Sequence, residues 1–277
     1  MTDRGGARAG ATRTLADAGV PTPALDADVL LAHVLGVPKE QLVAYPEVAL
    51  TPAESARVAD IVAKRATGVP VAYLRGFKEF HGLRFAVDPR VLVPRPETEI
   101  LVDAVLAHAG DRALSVVDVG TGSGAIAVTL AVRAPRLRVI ATDVSAGALA
   151  VARANAAAHG AWVDFREGDL LAPVTQPVDI VAANLPYLRE DELDRLAGDR
   201  TSLAFEPRVA TVAGSDGLNV VRRAIADLPR VLAANGAAFF ECDPPQIEPI
   251  VALLEPLGRS DVLRDLAGLD RVVRMRR

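Results

Sequence analysis

The chain of 277 residues has one cysteine, Cys242. No disulfide can form within it, which suits a reducing compartment. Lysine is nearly absent, at Lys39, Lys64 and Lys78, and arginine carries the remaining positive charge. This is compositional bias with no functional weight. The four histidines (His33, His81, His108, His159) are scattered, with no metal-ligand spacing among them. No apolar run approaches the roughly 20 residues of a membrane span. The first residues, MTDRGGARAGATRTLADAG, lack the apolar stretch of a secretory signal. A cytoplasmic location is therefore expected. A basic excess is also missing: the net charge is −4, which counts against a protein that holds nucleic acid mainly through phosphates.

Apolar mass is ample. Hydrophobic residues make up 51% and charged residues 24%, a globular composition with room for two domains. The first third reads as helical. Residues 25–35 place Leu25, Val29 and Leu31/Ala32 near one face, and Gly36 stops the helix. Thr51-Pro52-Ala53-Glu54 predicts a capped helix start, with Thr51 as cap and Glu54 completing a capping box. Residues 77–87 alternate around Gly82 and predict a β-hairpin. After Pro94-Arg95-Pro96, a helix opens at Glu97 or Thr98. From residue 113 strands and helices alternate, which predicts an α/β domain with a mostly parallel sheet and an antiparallel last strand. Within it, a long helix is expected over 216–234 and a strand over 237–241.

Four signals carry chemistry. The first is Gly120-Thr121-Gly122-Ser123-Gly124, which follows a strand and opens a helix. Glycines let the backbone turn tightly and approach a ligand. A dinucleotide fingerprint begins similarly, but this spacing, with Asp118 at the strand end, suits an adenosine bearing an amino acid and no pyrophosphate. The second is Asp143, at the end of the next strand. It is placed to accept hydrogen bonds from both ribose hydroxyls of a nucleoside, although Asp143 or Ser145 would also serve as a helix cap. The third is Gly168-Asp169-Leu170, where Asp169 is placed for an adenine amino group and Leu170 for the ring face.

The fourth is Asn184-Leu185-Pro186-Tyr187, at the end of the fourth strand, where open α/β sheets place their ligands. The Asn184 side-chain carbonyl and the Leu185 main-chain carbonyl are two acceptors for the hydrogens of an –NH₂ group. Tyr187 offers a flat face to a planar amide or base. These four residues are the candidate catalytic set; Asn184 also borders the expected cofactor.

The order of glycine loop, acidic residue and N-x-P-Y resembles class I (Rossmann-like) methyltransferases that act on exocyclic or amide nitrogen. More specifically, the chain resembles the PrmC/HemK family. The resemblance is carried by Gly68-x-Pro70-x-x-Tyr73-x-x-Gly76, Glu79-Phe80-x-Gly82 and Val93-Pro94-Arg95-Pro96-Glu97-Thr98-Glu99. It continues through Phe205-Glu206-Pro207-Arg208, Gly214-x-Asp216-Gly217-Leu218 and Asp265-x-x-Gly268-x-Asp270-Arg271, and the Leu25-Asp26-Ala27 helix also fits. It implies a seven-stranded fold with S-adenosyl-L-methionine as cofactor. The implied substrate is the GGQ glutamine of class 1 peptide-chain release factors, methylated on its N5 amide. The implied division is a helical substrate-docking domain (1–72), a hairpin linker (73–93) and a methyltransferase domain (94–277). No stable nucleic-acid, membrane or metal partner is expected. In this chain Leu185 stands where the family usually has proline, and Cys242-Asp243-Pro244-Pro245 stands where it commonly has a small residue. Since leucine also occurs in adenine N6-methyltransferases, the tetrapeptide alone leaves RNA or DNA adenine open. A nicotinamide dehydrogenase, disfavoured by the loop spacing, and a non-catalytic cofactor-binding protein are rival assignments.

Overall fold

The structure is a computed structural model that describes residues 2–192, 195 and 202–277. The chain divides into two compact units. Of the described residues, one unit is formed by 2–77 with 195 and 202–205, the other by 78–192 and 206–277.

The first unit is helical: α1 (Arg4–Asp17), α2 (Pro23–Leu35), α3 (Lys39–Ala44), α4 (Pro52–Ala66) and α5 (Val71–Arg75). Its core is Leu15, Leu30, Leu31, Leu42, Val58, Ile61 and Val62. Each buried leucine contributes about 2 kcal/mol by leaving water. The capping box forms as expected: the Thr51 backbone N–H donates to Glu54 at 2.8 Å, and the Glu54 N–H donates to the Thr51 hydroxyl at 3.2 Å. The buried face of α2 differs from the expected one. Leu25 is 52% exposed, and Asp26, Ala27, Leu30 and Leu31 point inward. The reason is electrostatic: Asp26 accepts a 2.8 Å bond from Arg65 on α4, and both side chains are buried. Arg65 also donates to the carbonyls of Gly68 and Val69. The ion pair therefore turns the Asp26–Leu30 line of the helix inward.

The hairpin is β1 (Phe77–Phe80) and β2 (Leu83–Ala86). Its two turn residues, His81 and Gly82, have φ of 51° and 73°, the left-handed pair of a tight I′ connection. Residues Pro96–Thr98 form a short 3₁₀ turn that leads into α6 (Glu99–Ala109).

The remaining elements alternate: β3 (Ser115–Val119), α7 (Ala125–Arg133), β4 (Arg138–Asp143), α8 (Ala146–Ala158), β5 (Val163–Glu167) and β6 (Val178–Asn184). They continue with α9 (Asn219–Val231), β7 (Leu232–Glu241), α10 (Ile247–Leu254), β8 (Arg259–Arg264) and β9 (Asp270–Arg276). The sheet has seven strands in the order β5-β4-β3-β6-β7-β9-β8. The pairs β3–β4, β3–β6, β4–β5 and β6–β7 are parallel, and β9 runs antiparallel to both neighbours. Alternating strand residues feed two cores. Val117, Val119, Val181 and Phe240 pack with α9 and α10 on one face; Val116, Ile180 and Phe239 pack with α6 and α7 on the other.

Two expected boundaries shift. Helix α9 starts at Asn219, not Asp216, because Gly217 is left-handed (φ 72°) and the Asp216 carboxylate accepts the Leu218 N–H at 3.0 Å. It ends at Val231, where Leu232 turns extended and joins β7 opposite Val178. Regular pairing of β7 resumes at Ala237, after an irregularity at Val178/Ile180. Among the described residues, no helix is long and apolar enough to cross a membrane.

Candidate active site

Strand order reverses at β3: β4 lies on one side and β6 on the other. That reversal opens a crevice at the C-terminal strand ends, the place where doubly wound sheets bind ligands. A cleft of about 850 Å³, part of it open to solvent, lies there. Of the expected residues, Gly120, Gly122, Asp143, Asp169, Leu170, Asn184, Leu185 and Pro186 line it.

The glycine loop is stapled between two strand ends. The N–H groups of Gly120 and Thr121 both donate to the Thr142 carbonyl at 2.9 Å. Gly122 N–H donates to Asp143 Oδ2 at 2.9 Å. Gly120 and Gly122 have φ of 72° and 54°, a region other residues enter at a cost of about 1 kcal/mol or more. A Cβ on Gly120 would also press on the Leu185 side chain at 3.3 Å. Thr121, Ser123 and Gly124 sit behind this rim. The Thr121 hydroxyl donates to Asp118 Oδ2 at 2.6 Å, the Ser123 carbonyl takes Asn155 Nδ2 at 2.8 Å, and Gly124 abuts Ala152.

Asp118 is wholly buried at the base of the loop. It accepts from Thr121 and from Ala127 N–H, while its Oδ1 has no partner. Burial pushes its carboxyl up to about 7, with Thr121 and Ala127 opposing and nearby Asp143 adding to the rise. A cation bound above the loop would favour the ionised form of Asp118.

The two candidate caps at the end of β4 take different roles. The Ser145 hydroxyl caps α8 by accepting Ala148 N–H at 3.1 Å. Asp143 accepts from Gly122 on Oδ2 and from Ser145 N–H on Oδ1, and it borders the cleft. Each oxygen keeps a second lone pair for a hydroxyl donor. Asp169 is engaged by Arg223 of α9 in an exposed ion pair at the cleft mouth. Leu170 is held in a left-handed conformation (φ 48°) beside it.

Asn184 is the last residue of β6. Its Nδ2 donates to the Thr98 hydroxyl at 2.9 Å, so its Oδ1 is the end turned away from Thr98. The Leu185 side chain is buried in the core under the glycine loop. That leaves its residue type a packing matter and its role at the cleft to the main chain. Tyr187 lies outside the cleft lining, and its phenol is pushed up to about 12 by burial, with Glu241 and Asp243 adding to the rise. The loop after it is clamped. Gln246 Nε2 donates to the Tyr187 carbonyl at 2.9 Å and to that of Gly217 at 3.2 Å. Leu188 N–H donates to the Thr211 carbonyl at 2.9 Å, and its own carbonyl takes Ala213 N–H at 2.8 Å.

Two of the sequence motifs meet. Arg95 donates to Glu206 at 2.6 Å, and Val93 N–H donates to the other Glu206 oxygen at 3.2 Å. The Glu206 side chain is fully buried, and burial raises its carboxyl while Arg95 lowers it. The pair ties the segment before α6 to the segment after the Asn184–Tyr187 loop. Neighbours of these motifs, including Arg90, Val91, Leu92, Val209 and Ala210, also line the cleft. Sequence reasoning did not single them out; their closeness to the two motifs was the available signal. It likewise passed over Glu241, buried beside Asn184 in the β6–β7 register.

Residues 7–76 match a family described as the PrmC N-terminal domain, and residues 96–201 match the methyltransferase small domain. The chain is 39% identical to a release factor glutamine methyltransferase of Koribacter versatilis, over 95% of this chain and 94% of the relative. It is 40% identical to a protein of the same name from Deinococcus radiodurans, over 96% of each. Among solved structures it is similar to a Thermus thermophilus 16S rRNA N2 G1207 methyltransferase in complex with AdoMet and guanosine. The TM-score is 0.55 at 17% identity, over 73% of this chain and 49% of the other. That likeness concerns the fold of class I methyltransferases.

Proposed function

The chain belongs to the release factor glutamine methyltransferase family, and from that premise we propose that it methylates the N5 amide nitrogen of the GGQ glutamine in class 1 peptide-chain release factors, with S-adenosyl-L-methionine as donor. The observation that carries the reading is Asn184: it ends β6 on the cleft wall, and its amide is oriented by Thr98.

The residues present fit the cofactor. The cleft opens at the switch point of the sheet, where polar and apolar side chains converge. Gly120 and Gly122 keep the loop low, Asp143 offers acceptors for ribose hydroxyls, and a bound cation would favour the ionised form of buried Asp118. When bound, S-adenosylmethionine supplies an electrophilic methyl group on a sulfonium. Leu170 borders the cleft as an apolar contact for the face of a ring. Asp169 reaches an adenine amino group only by sharing its carboxylate with Arg223.

An amide nitrogen is a weak nucleophile because its lone pair is delocalised. Asn184 Oδ1 and the Leu185 carbonyl each accept one of its hydrogens, which orients the lone pair toward the methyl group. They also stabilise the positive charge that develops as the nitrogen–carbon bond forms. The extra proton then leaves to water. Tyr187 supports this wall through the clamp on its carbonyl.

Relatives at about 40% identity over nearly the whole length carry the glutamine methyltransferase name, which favours a protein amide over an adenine base. In the same reading residues 1–72 dock the release factor, 73–93 link, and 94–277 catalyse, in the cytoplasm. The test is transfer of labelled methyl to a purified GGQ-containing release factor, compared with RNA and DNA. Label should appear on the glutamine, and Asn184→Ala should lose about 10²–10³-fold in turnover while cofactor affinity changes little. Undiminished turnover of that variant, or label on nucleic acid alone, would sink the proposal.

A further inference from the structure

Behind Asn184, out of the cleft lining, lies a short polar chain that the methyl transfer itself does not use. Asn184 Nδ2 donates to the Thr98 hydroxyl at 2.9 Å. Asn184 and Glu241 are register partners on β6 and β7. Glu241 is buried, as is Thr98, and the Thr98 hydroxyl is near enough to the Glu241 carboxyl to lower its pKa. The other carboxyl oxygen, Oε2, is buried without a partner. We propose that Thr98 and Glu241 are positioning residues that fix which end of the Asn184 amide faces the substrate. The inference rests on the reading of Asn184 as the acceptor for the substrate amide.

The reasoning is one of polarity. The two ends of a carboxamide have nearly the same shape, so packing alone does not choose between them. A hydroxyl is ambivalent as well. An ionised carboxylate is not: it only accepts. With Glu241 ionised, Thr98 donates its single hydrogen to Glu241 and offers its lone pairs to Asn184. Asn184 must then turn Nδ2 toward Thr98 and Oδ1 away from it. Protonated Glu241 can instead donate to Thr98, and Thr98 can donate to Asn184 Oδ1. That reversed chain would present –NH₂ to the substrate –NH₂, two donors facing each other.

The ionisation of Glu241 is finely poised. Burial raises its carboxyl to about 7, against the lowering effects of Thr98, Arg271 and Arg95; Glu97 adds to the rise. Tyr187 and Cys242 also feel its charge. The productive orientation is therefore filled as pH rises through about 7 and lost below it. Asp118 titrates in the same range, so kinetics are read at saturating S-adenosylmethionine, and Glu241→Gln separates the two groups.

The experiment uses the full chain with the release factor. Thr98→Val keeps the shape and removes the hydroxyl; kcat should fall about ten- to a hundredfold, with S-adenosylmethionine Kd and the release-factor KM within about twofold. Thr98→Ser should restore most of kcat. Glu241→Gln, whose amide can turn either end to Thr98 at every pH, should lower kcat at neutral pH and abolish the acid-side fall. A substrate-free readout is the Asn184 side-chain ¹⁵NH₂ resonance. It should shift with pH near 7 in the unsubstituted protein and stop shifting in Thr98→Val and in Glu241→Gln. Full kcat in Thr98→Val, equal impairment of Thr98→Ser, or an Asn184 resonance indifferent to Glu241 overturns the inference. A titrating resonance in a protein that does not methylate the GGQ glutamine overturns the substrate reading and leaves the positioning chain standing.

Discussion

Gly217 is a residue on which the shape of the Asn184–Tyr187 loop depends sharply. It sits at φ 72°. A Cβ there would lie 2.2 Å from the Tyr187 carbonyl oxygen and 2.7 Å from Gln246 Nε2. Ordinary contact needs about 3.4 Å or more, so Gly217→Ala must push the Tyr187 carbonyl roughly 1 Å, or break the Gln246 bond that holds it. The left-handed backbone adds about 1–2 kcal/mol for alanine. Losing one Gln246 hydrogen bond adds about 1 kcal/mol. The sum is about 2–3 kcal/mol, a fall in Tm of roughly 5–10 °C for a domain of this size. A shift of 1 Å near reacting atoms costs about 10²-fold in rate. The glycine loop and Asp143 are held by their own bonds, so S-adenosylmethionine affinity should change less than threefold. Calorimetry, methyl-transfer kinetics and cofactor titration measure the three quantities. Turnover within twofold and a Tm within 1 °C of the unsubstituted protein would refute the reasoning.

Arg95→Ala should cost about 3 kcal/mol by leaving the Glu206 charge buried and unpaired. Denaturant titration should show the loss shrinking as pH falls and Glu206 takes a proton. Asp143→Ala removes the acceptor for Gly122 N–H and the proposed ribose contact. It should weaken S-adenosylmethionine binding at least tenfold by calorimetric titration; an unchanged Kd would remove Asp143 from the site. Asp118 has a folded-state pKa raised to about 7. Its burial costs nothing below about pH 4, where both states are neutral, and stability is lost as pH rises from there to 7, by at most about 4 kcal/mol. Asp118→Asn should therefore flatten the decline of Tm between pH 5 and 8, and an unaltered slope would contradict the burial argument.

The fold was legible because its signals are local. Valine-rich runs of five to seven residues alternate with helical stretches, and β9 follows β8 too closely to be parallel to it. What sequence periodicity misplaced has a tertiary cause in each case. In α2 the Asp26–Arg65 pair turns a polar position inward and exposes Leu25. At α9 an apolar pattern runs on past Leu218, yet Gly217 must stay non-helical to clear Tyr187. In β7 the residues before Ala237 join the strand through an irregular pairing that no alternation announces.

The site divides along the same line. Gly120, Gly122, Asp143 and Asn184 were legible as cleft residues because each closes a strand or follows one within three residues, and topology carries strand ends to the crevice. Thr98 and Glu241 were not, since they lie 86 residues before and 57 after Asn184 and meet it only through the β6–β7 register and the turn into α6. The sequence does hold a trace of them: Thr98 is inside the Pro94–Glu99 motif, and Glu241 ends a strand whose inward residues are otherwise apolar. A carboxylate in that place has to be reconciled with burial. The Thr98 hydroxyl beside it lowers its pKa, and that hydroxyl accepts from the Asn184 amide at the cleft. The residues that make the amide of Asn184 usable are therefore found by asking where a buried charge sends its hydrogen bonds, a question that becomes answerable only when the strands are paired.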